Sequence, residues 1–358
     1  DRPLQERPAT LASDPLPRQN AATARRHWGQ GLLEPAELPG RLEAFLTKRS
    51  DGGVAVAVSD FEPITGGYSR YMARFTATEG ATSTRMILRA DPPPGQSIIE
   101  TDRTVEWDVL QAITATGQVR LPRIRWFDAG EELGSPAIVY EEVPGDTLFA
   151  RLQSGDVSDH FGFTEPVADL AASIHDVDVA ALPPAIERPT SWDDYIEAGA
   201  AQWVEAEDGH AEADPFMRVV AAWLRANKPP ATELRTIHGD LQPPNIAVEA
   251  GSGDLHMLDW ELVRVGDPRE DLGWWVLACK SQPPDLIEAD TDAFYARYRE
   301  RTGLSEEVVN PATVAYFTVF SSLSVFSNVI AQTAKMSRGE PGGMSIAYMT
   351  SAIPFMHG

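Results

Sequence analysis

Three side chains at and after Asp240 have the types and the spacing of a general base followed by two cation ligands. Asp240 and Asn245 lie five positions apart, and Asp259 follows Asn245 by fourteen. A carboxylate that reaches a proton acts as a base, and carboxylate and amide oxygens suit the hard Mg²⁺ ion. The sequence therefore predicts metal-assisted group transfer, with Asp240 as the base and with Asn245 and Asp259 holding magnesium.

Two short apolar runs, 246–249 and 255–258, read as the strands that position these ligands, because a glycine-rich turn separates them. A hairpin centred on Ser252 pairs the first residue of one run with the last residue of the other. Asn245 would then face Asp259, and directly opposed strand residues lie roughly 5 Å apart. We therefore expect both ligands to meet at the open end of this hairpin.

Composition limits the class of protein. The chain has 358 residues with 43% hydrophobic content, which is enough for two lobes with separate cores. It has no apolar run of ~18 residues and no charged-then-apolar leader, and its single cysteine, Cys279, excludes an intrachain disulfide. A net charge of −23 argues against nucleic acid and against anionic membranes as partners. We expect a protein of the reducing cytoplasm.

The pattern along the chain predicts an α+β fold in three parts. Residues 1–40 lack apolar periodicity and read as an N-terminal arm. Residues 41–145 read as a small β-rich lobe with one helix at 104–114 and a hinge at its end, and residues 146–358 as a larger, mainly helical lobe. The cleft between two such lobes is a natural ligand site. The strands predicted for the small lobe are 54–58, 71–75, 85–89 and 137–140.

A glycine pair between two predicted strands is the candidate phosphate loop. Gly66 and Gly67 would let the backbone fold closely over phosphates, and Ser69 would donate a hydrogen bond to them. This segment is thus predicted to bind part of a nucleotide.

Arg89 ends a later strand, where its guanidinium can bind a phosphate with two hydrogen bonds. No lysine occurs between Asp51 and Ala150, so Arg89 is the candidate cation for this role. Its predicted partner is Glu106, seventeen positions on in the predicted helix.

The residues after the last strand of the small lobe are the predicted hinge. Adenine offers one donor and one acceptor along its edge, which the Glu141 carbonyl and the Val143 N–H could match. Pro144 cannot donate, which leaves Val143 as the donor.

Together these residues resemble the aminoglycoside phosphotransferase family and its choline-kinase-like relatives. His238–Asn245 matches the family's His-Gly-Asp-x-x-x-x-Asn loop, and Leu258–Glu261 its Ile/Leu-Asp-Trp/Phe-Glu segment. Gly266–Gly273 matches its Gly-Asp-Pro-x-x-Asp-Leu-Gly/Ala segment, and Ala172–His175 looks like its helix ending in Leu-His. The resemblance covers roughly residues 60–335.

The resemblance implies a protein-kinase-like two-lobed fold, with ATP or GTP as donor, magnesium as cofactor and a small-molecule hydroxyl as acceptor. It assigns Asp240, Asn245 and Asp259 the roles argued above. Gly239 stands where a protein kinase has an arginine, and only seven residues separate Asp259 from Asp267, too few for an activation segment. A small-molecule kinase is therefore expected.

Two departures and two open alternatives accompany the resemblance. Arg89 replaces the usual lysine, and Pro244 stands where glycine is usual. Residues 88–95 resemble a subgroup related to the kinase domains of acyl-CoA dehydrogenase fusion proteins, which phosphorylates hydroxyacyl-CoA thioesters. The alternatives are thus a hydroxyacyl-CoA kinase of the same fold and a catalytically weak, nucleotide-binding regulatory module.

Asp267 or Asp271 could hold the catalytic loop, and a helix N-cap is an equal alternative for Asp267.

The choice of acceptor turns on charge. Between Asp193 and Asp214 the chain has eight acidic residues and no lysine or arginine, a solvated face or a wall for a cationic or hydroxyl-rich acceptor. A hydroxyacyl-CoA would instead need cations for its phosphates, which Arg218, Arg225 and Lys228 could supply in part.

Overall fold

The computed structural model describes residues 36–64, 70–92, 101–154, 162–208, 215–281 and 290–323. Its first part is a five-stranded antiparallel sheet with the strand order β1-β2-β3-β5-β4. Side chains alternate between buried and half-exposed along β2, as expected for a sheet with one face on a core. The strands are β1 (Val56–Pro63), β2 (Tyr71–Glu79), β3 (Thr82–Ala90), β4 (Ile124–Ala129) and β5 (Pro136–Glu141).

Helix α1 (Leu38–Arg49) covers one face of this sheet. Its buried side chains recur at helical spacing and pack with Phe75 of β2 and Val139 of β5. The helix begins inside the segment 1–40 that the sequence assigns to an arm, while residues 1–35 lie outside the described residues. Proline at the start of α1 suits a first helical turn, where no backbone N–H is needed.

Helix α2 (Arg103–Thr116) is the embedded helix of the small lobe. Asp102 caps it by accepting a hydrogen bond from the Thr104 N–H at 2.8 Å, and Gly117 ends it in the left-handed region, with φ of 64°. Its apolar side chains belong to the same buried cluster as residues of the second lobe. The helix therefore packs across the junction of the lobes, and it brings Glu106 to that junction.

The second lobe is mainly helical, and the motif segments 238–245 and 258–261 lie among its short strands and loops. The strands are β6 (Gly145–Thr147), β7 (Arg235–Ile237), β8 (Ile246–Glu249), β9 (Leu255–Met257) and β10 (Arg264–Gly266). The helices are α3 (Leu148–Ser154), α4 (Thr164–His175), α5 (Trp192–Asp208), α6 (Phe216–Ala226), α7 (Arg269–Ser281), α8 (Thr291–Thr302) and α9 (311–323).

The hairpin of β8 and β9 forms, but its predicted register is wrong by one residue. Ile246 pairs with Met257 instead of residue 258. The turn closes when the Gly253 N–H donates to the Glu249 carbonyl at 2.9 Å, and the Glu249 N–H donates to the Asp254 carbonyl at 2.9 Å. Four residues thus lie in the turn, so its centre falls between two residues and not on Ser252.

A β-rich lobe followed by a mainly helical lobe is the α+β arrangement that the sequence predicts. Within the ranges given above, no helix combines the length and the apolar character needed to cross a membrane.

Candidate active site

Asp240 lies in the loop between β7 and β8, and its carboxylate is fixed by three hydrogen bonds. Gln242 Nε2 and Trp274 Nε1 each donate to Oδ1 at 2.7 Å, and Asn245 Nδ2 donates to Oδ2 at 2.7 Å. Burial, and then the negative charge of Asp259, raise the pKa of Asp240 to about 7 against the opposing effect of these hydrogen bonds. A carboxyl group with this pKa is suited to exchange a proton near neutral pH.

Asp271 of α7 holds the backbone of this loop. Its Oδ2 accepts a hydrogen bond from the His238 N–H at 2.7 Å, and its Oδ1 accepts one from the Gly239 N–H at 2.8 Å. His175 Nε2 lies 3.0 Å from Oδ2. Burial acts to raise the pKa of Asp271, but the hydrogen bonds from His175 and His238 lower it below its usual value. The side chain is therefore a buried, charged acceptor for the loop.

Asp267 takes the capping role that the sequence left open. Its Oδ1 accepts a hydrogen bond from the Arg269 N–H at 2.9 Å at the start of α7. Its Oδ2 accepts hydrogen bonds from Arg269 Nη2 and from Trp192 Nε1, both at 2.7 Å. Asp271, and not Asp267, is thus the aspartate that contacts the catalytic loop.

His238 connects the loop of Asp240 to the segment of Asp259. Its Nε2 lies 2.9 Å from the Leu258 carbonyl, and its Nδ1 lies 3.2 Å from the Asp240 N–H. A carbonyl only accepts and an N–H only donates, so the ring is neutral with its proton on Nε2. Burial lowers the pKa of His238, which is consistent with a neutral ring. Trp260 packs edge-on against the ring, with 4.9 Å between ring centroids.

Asn245 does not face Asp259 directly, because the hairpin register differs from the prediction. The Asn245 carbonyl accepts a hydrogen bond from the Leu258 N–H at 2.8 Å, so Leu258 is its cross-strand neighbour. Asp259 follows with φ of 57°, a left-handed conformation that is rare outside glycine and is found at functional sites. This backbone turn brings the chain out of the strand at the residue that carries the second predicted ligand.

The oxygens left at Asn245 and Asp259 suit a hard cation. Asn245 uses Nδ2 as a donor to the Asp240 carbonyl and carboxylate, which leaves its Oδ1 as the ligand atom. Asp259 uses Oδ1 to bind Arg89 and keeps Oδ2. Over the described ranges, no group of three or more His, Cys, Asp or Glu side chains could hold a metal ion. A cation here would therefore depend on this Asn–Asp pair together with oxygens of a bound ligand.

Arg89 and Glu106 form the ion pair that the sequence predicts. Arg89 Nη1 contacts Glu106 Oε1, and Arg89 Nη2 lies 2.5 Å from Asp259 Oδ1 and 3.2 Å from Glu261 Oε2. The Arg89 side chain is only 5% exposed. Its guanidinium therefore joins helix α2 of the small lobe to the Asp259–Glu261 segment of the second lobe.

Two further arginines contact the buried carboxylates around Arg89, and the sequence analysis did not predict them. Arg70 Nη2 lies 2.7 Å from Glu261 Oε2, and Arg103 Nη2 lies 2.8 Å from Asp91 Oδ1. All of these side chains are buried or nearly so. Arg103 stands three positions before Glu106 on α2, which is a spacing at which side chains on one helix face form ion pairs. This spacing was the signal in the sequence that could have indicated Arg103.

The other predicted nucleotide contacts are divided between described and undescribed residues. Gly66, Gly67 and Ser69 lie outside the described residues. Glu141 ends β5; its carboxylate accepts a hydrogen bond from Arg125 at 2.8 Å, and its N–H donates to the Arg123 carbonyl at 2.9 Å. Val143 follows two positions later, between β5 and β6 in the chain, where the hinge was predicted.

Gly239 is required by its conformation and by a close neighbour. Its φ is 80°, and a Cβ atom there would lie 2.1 Å from Arg264 Nη1 and 2.5 Å from the Leu262 carbonyl oxygen. Arg264 is held in turn by Glu270, which also accepts a hydrogen bond from the Tyr195 hydroxyl. A guanidinium thus supports the loop at the position next to the candidate base.

Two of the basic residues proposed for acceptor binding pair with acidic residues of α5, one from α6 and one from the segment that follows it. Arg225 Nε lies 3.0 Å from both carboxylate oxygens of Glu197, and Lys228 Nζ lies 2.7 Å from Asp193 Oδ1. These groups are partly exposed, so each pair contributes little to stability. Two of the eight acidic side chains of this segment are thus paired with two of the three basic side chains.

Solved structures of small-molecule phosphotransferases share this fold. A protein from Ralstonia eutropha assigned as an aminoglycoside phosphotransferase has a TM-score of 0.63 at 20% identity, over 88% of this chain and 95% of that one. Choline kinase LicA from Streptococcus pneumoniae has a TM-score of 0.57 at 16% identity, over 88% and 97%. The GDP complex of aminoglycoside 2'-phosphotransferase-IIIa has a TM-score of 0.55 at 12% identity, over 84% and 92%. The protein-kinase-like fold predicted from the sequence is confirmed.

The family follows from the sequence comparison. Residues 60–304 match the model of the phosphotransferase enzyme family (APH), which is more than half of the chain. The chain therefore belongs to this family, as predicted.

Two curated relatives are much longer proteins. Acyl-CoA dehydrogenase family member 11 of Gallus gallus is 36% identical over 83 residues, which is 22% of this chain and 11% of the relative. Acyl-CoA dehydrogenase family member 10 of Mus musculus is 24% identical over 204 residues, which is 54% of this chain and 18% of the relative. The chain thus spans less than a fifth of either relative, and both are members of the acyl-CoA dehydrogenase group that residues 88–95 led us to expect.

Proposed function

We propose that this protein is an ATP- and Mg²⁺-dependent phosphotransferase that moves the γ-phosphate to a hydroxyl group of a small molecule. The observation that carries the proposal is the Asp240 carboxylate, which three hydrogen bonds fix within the loop that matches the family motif. The family match over 60–304 supports it.

Asp240 would orient the acceptor hydroxyl and accept its proton as the hydroxyl oxygen bonds to the γ-phosphorus. The bond between that phosphorus and the bridging oxygen breaks, and the nucleoside diphosphate leaves with the electron pair. Because three hydrogen bonds already fix the carboxylate, little of the activation free energy of transfer is needed to orient it. Loss of a positioned base typically lowers kcat by ~10²–10⁴.

Asn245 and Asp259 would hold the magnesium ion through the oxygens described above, and Arg89 would bind the donor phosphates with Glu106 as its support. When bound, the cation neutralises charge on the phosphates. Arg89 Nη2 contacts Asp259 Oδ1 in this structure, and this arginine would exchange that carboxylate for a phosphate when the donor binds. A guanidinium has five N–H donors, which lets it keep Glu106 during the exchange.

The donor proposed is ATP, with GTP as the alternative. The Glu141 carbonyl and the Val143 N–H would contact the adenine edge, and Gly66, Gly67 and Ser69 would contact the phosphates. GTP is retained because one neighbour of this fold is the GDP complex of aminoglycoside 2'-phosphotransferase-IIIa.

A hydroxyacyl-CoA thioester is the second candidate for the acceptor, beside an aminoglycoside, an amino alcohol or a sugar. The observation that favours it is the likeness to acyl-CoA dehydrogenase family members 10 and 11. The pairing of Arg225 and Lys228 with acidic side chains favours neither a polycationic acceptor nor the phosphates of a CoA thioester on that face.

The experiment is magnesium-dependent turnover of ATP and of GTP against separate pools of aminoglycosides, amino alcohols, sugars and hydroxyacyl-CoA thioesters. Asp240→Ala is the test variant. Asp254→Ala is the matched control, because it removes a half-exposed aspartate just after the turn of the hairpin that follows the catalytic loop.

Turnover with one pool that is lost in Asp240→Ala and kept in Asp254→Ala would support the proposal and identify the acceptor class. Turnover of near-wild-type rate in Asp240→Ala would exclude Asp240 as the base. Nucleotide binding without turnover in any pool would favour the regulatory module instead.

A further inference from the structure

Arg103 is the residue through which three separate parts of the active site are joined. Its Nε and Nη2 lie 3.1 and 2.8 Å from Asp91 Oδ1, just after the end of β3. Its Nη1 contacts Glu106 Oε2 on the same helix. Its Nη2 also lies 3.4 Å from Glu261 Oε2, in the other lobe.

The two carboxylate oxygens of Glu106 contact different arginines. Its Oε1 contacts Arg89, and its Oε2 contacts Arg103. A carboxylate with an arginine at each oxygen cannot rotate away from either partner without losing a buried ion-pair contact. Arg103 therefore restrains the one helix residue that supports Arg89.

These contacts are buried, so the loss of one charged partner would be costly in free energy. The side chains of Arg103 and Glu106 are 1% and 4% exposed, and that of Glu261 is 6% exposed. Water screens such groups poorly, so an unpaired charge left among them is costly. Arg70 lies 2.7 Å from Glu261 as well, so Glu261 is held from two sides while it contacts Arg89.

We propose that Arg103 is a positioning residue that joins helix α2 to the end of β3 and to Glu261 of the second lobe, and so keeps Glu106 on Arg89 where the donor phosphates bind. The role toward phosphates rests on the proposed function, whereas the restraint on α2 does not. Arg103 itself contacts neither donor nor acceptor in this scheme.

The test is Arg103→Met, which removes the charge and keeps a long apolar stem. Amide hydrogen exchange over residues 103–116 should become roughly 10- to 100-fold faster, the factor that corresponds to losing one buried hydrogen bond to a charged group. The KM for the nucleotide should rise by a similar factor, with a smaller change in kcat, because Arg89 would bind phosphates before and during transfer. Arg103→Lys should recover part of both effects, since an ammonium reaches fewer of the three carboxylates.

Arg49→Met is the matched control. Arg49 also lies in a helix of the small lobe and pairs with Glu132 at 2.6 Å, but that pair lies away from the site. It should leave both the exchange over 103–116 and the nucleotide KM unchanged. If Arg103→Met fails to fold, Arg103→Lys and Glu261→Gln carry the test, each with faster exchange of α2 expected.

Exchange over 103–116 at the wild-type rate in folded Arg103 variants would overturn the proposal, as would an unchanged nucleotide KM. A wild-type protein that turns over no acceptor would count against the proposed function alone, because the exchange measurement still decides the role of Arg103.

Discussion

Asp271→Asn should destabilise the protein strongly although the two side chains have nearly the same shape. Oδ2 of Asp271 accepts hydrogen bonds from the His238 N–H and His175 Nε2, and Oδ1 accepts one from the Gly239 N–H. The asparagine oxygen can replace only one of these two acceptors. Its NH₂ group then meets a backbone N–H, which leaves a donor buried without an acceptor.

The magnitude follows from these contacts. One lost hydrogen bond with an unsatisfied buried N–H costs about 1–3 kcal/mol. The two that remain change from charge-assisted to neutral, at about 1 kcal/mol each. We expect the free energy of unfolding at pH 7 to fall by about 3–5 kcal/mol, measured by urea denaturation. Asp176→Asn, at a surface pair with Arg235, is the control and should change it by at most about 1 kcal/mol.

The difference between wild type and Asp271→Asn should also depend on pH. The pKa of Asp271 is lowered in the folded protein, so its carboxylate stabilises the fold above the unfolded-state pKa of about 3.9. That contribution is lost as the pH falls through the folded-state pKa. The difference should therefore be constant from about pH 5 to 8 and become smaller below about pH 4. A difference under about 1 kcal/mol at pH 7, or one that persists unchanged at acid pH, would refute the reasoning.

Three other predictions concern single residues of the site and the core. Gly239→Ala should lower stability and kcat more than Gly251→Ala, because both glycines have positive φ but only at Gly239 would a Cβ meet Arg264 and Leu262. Backbone strain alone costs about 1–2 kcal/mol, and denaturation with turnover assays would separate the two variants. Asp259→Asn should abolish the magnesium dependence of nucleotide binding, measured by titration calorimetry. Cys279 is buried, and burial raises the pKa of its thiol, so it should react with a thiol reagent only after unfolding, and fast labelling of the native protein would contradict this.

Local features of the fold could be predicted because they depend on neighbours in the chain. The apolar spacing of α2 gave bounds within two residues at each end, and the runs that became β2, β3 and β5 were assigned as strands. Strand β4 (Ile124–Ala129) was missed, since its side chains are mostly half-buried and show no alternation. Helix α1 begins at Leu38, inside the segment 1–40 that was read as an arm, and Pro39 suits its first turn.

Features set by contacts distant in the chain could not be predicted. The register of β8 and β9 depends on which carbonyl closes the turn, and a shift of one residue moved Asn245 from Asp259 to Leu258. The carboxylates around Arg103 come from positions 91, 106 and 261, so no local pattern indicates that they converge. Composition likewise gave no sign that Lys228 and Asp193 neutralise each other.

The hairpin of β8 and β9 also determines which half of the site is preassembled. Asp240, Asn245 and Asp259 all belong to the second lobe, and hydrogen bonds among the catalytic loop, His238 and Leu258 connect them without any atom of the small lobe. Arg89 and Glu106 approach from the other side as a unit. A hinge movement between the lobes would therefore leave the base and the cation ligands in register with one another, while it changed the contacts of Arg70, Arg89 and Arg103 with the Asp259–Glu261 segment. Opening the cleft would interrupt phosphate binding while leaving the geometry for proton transfer intact.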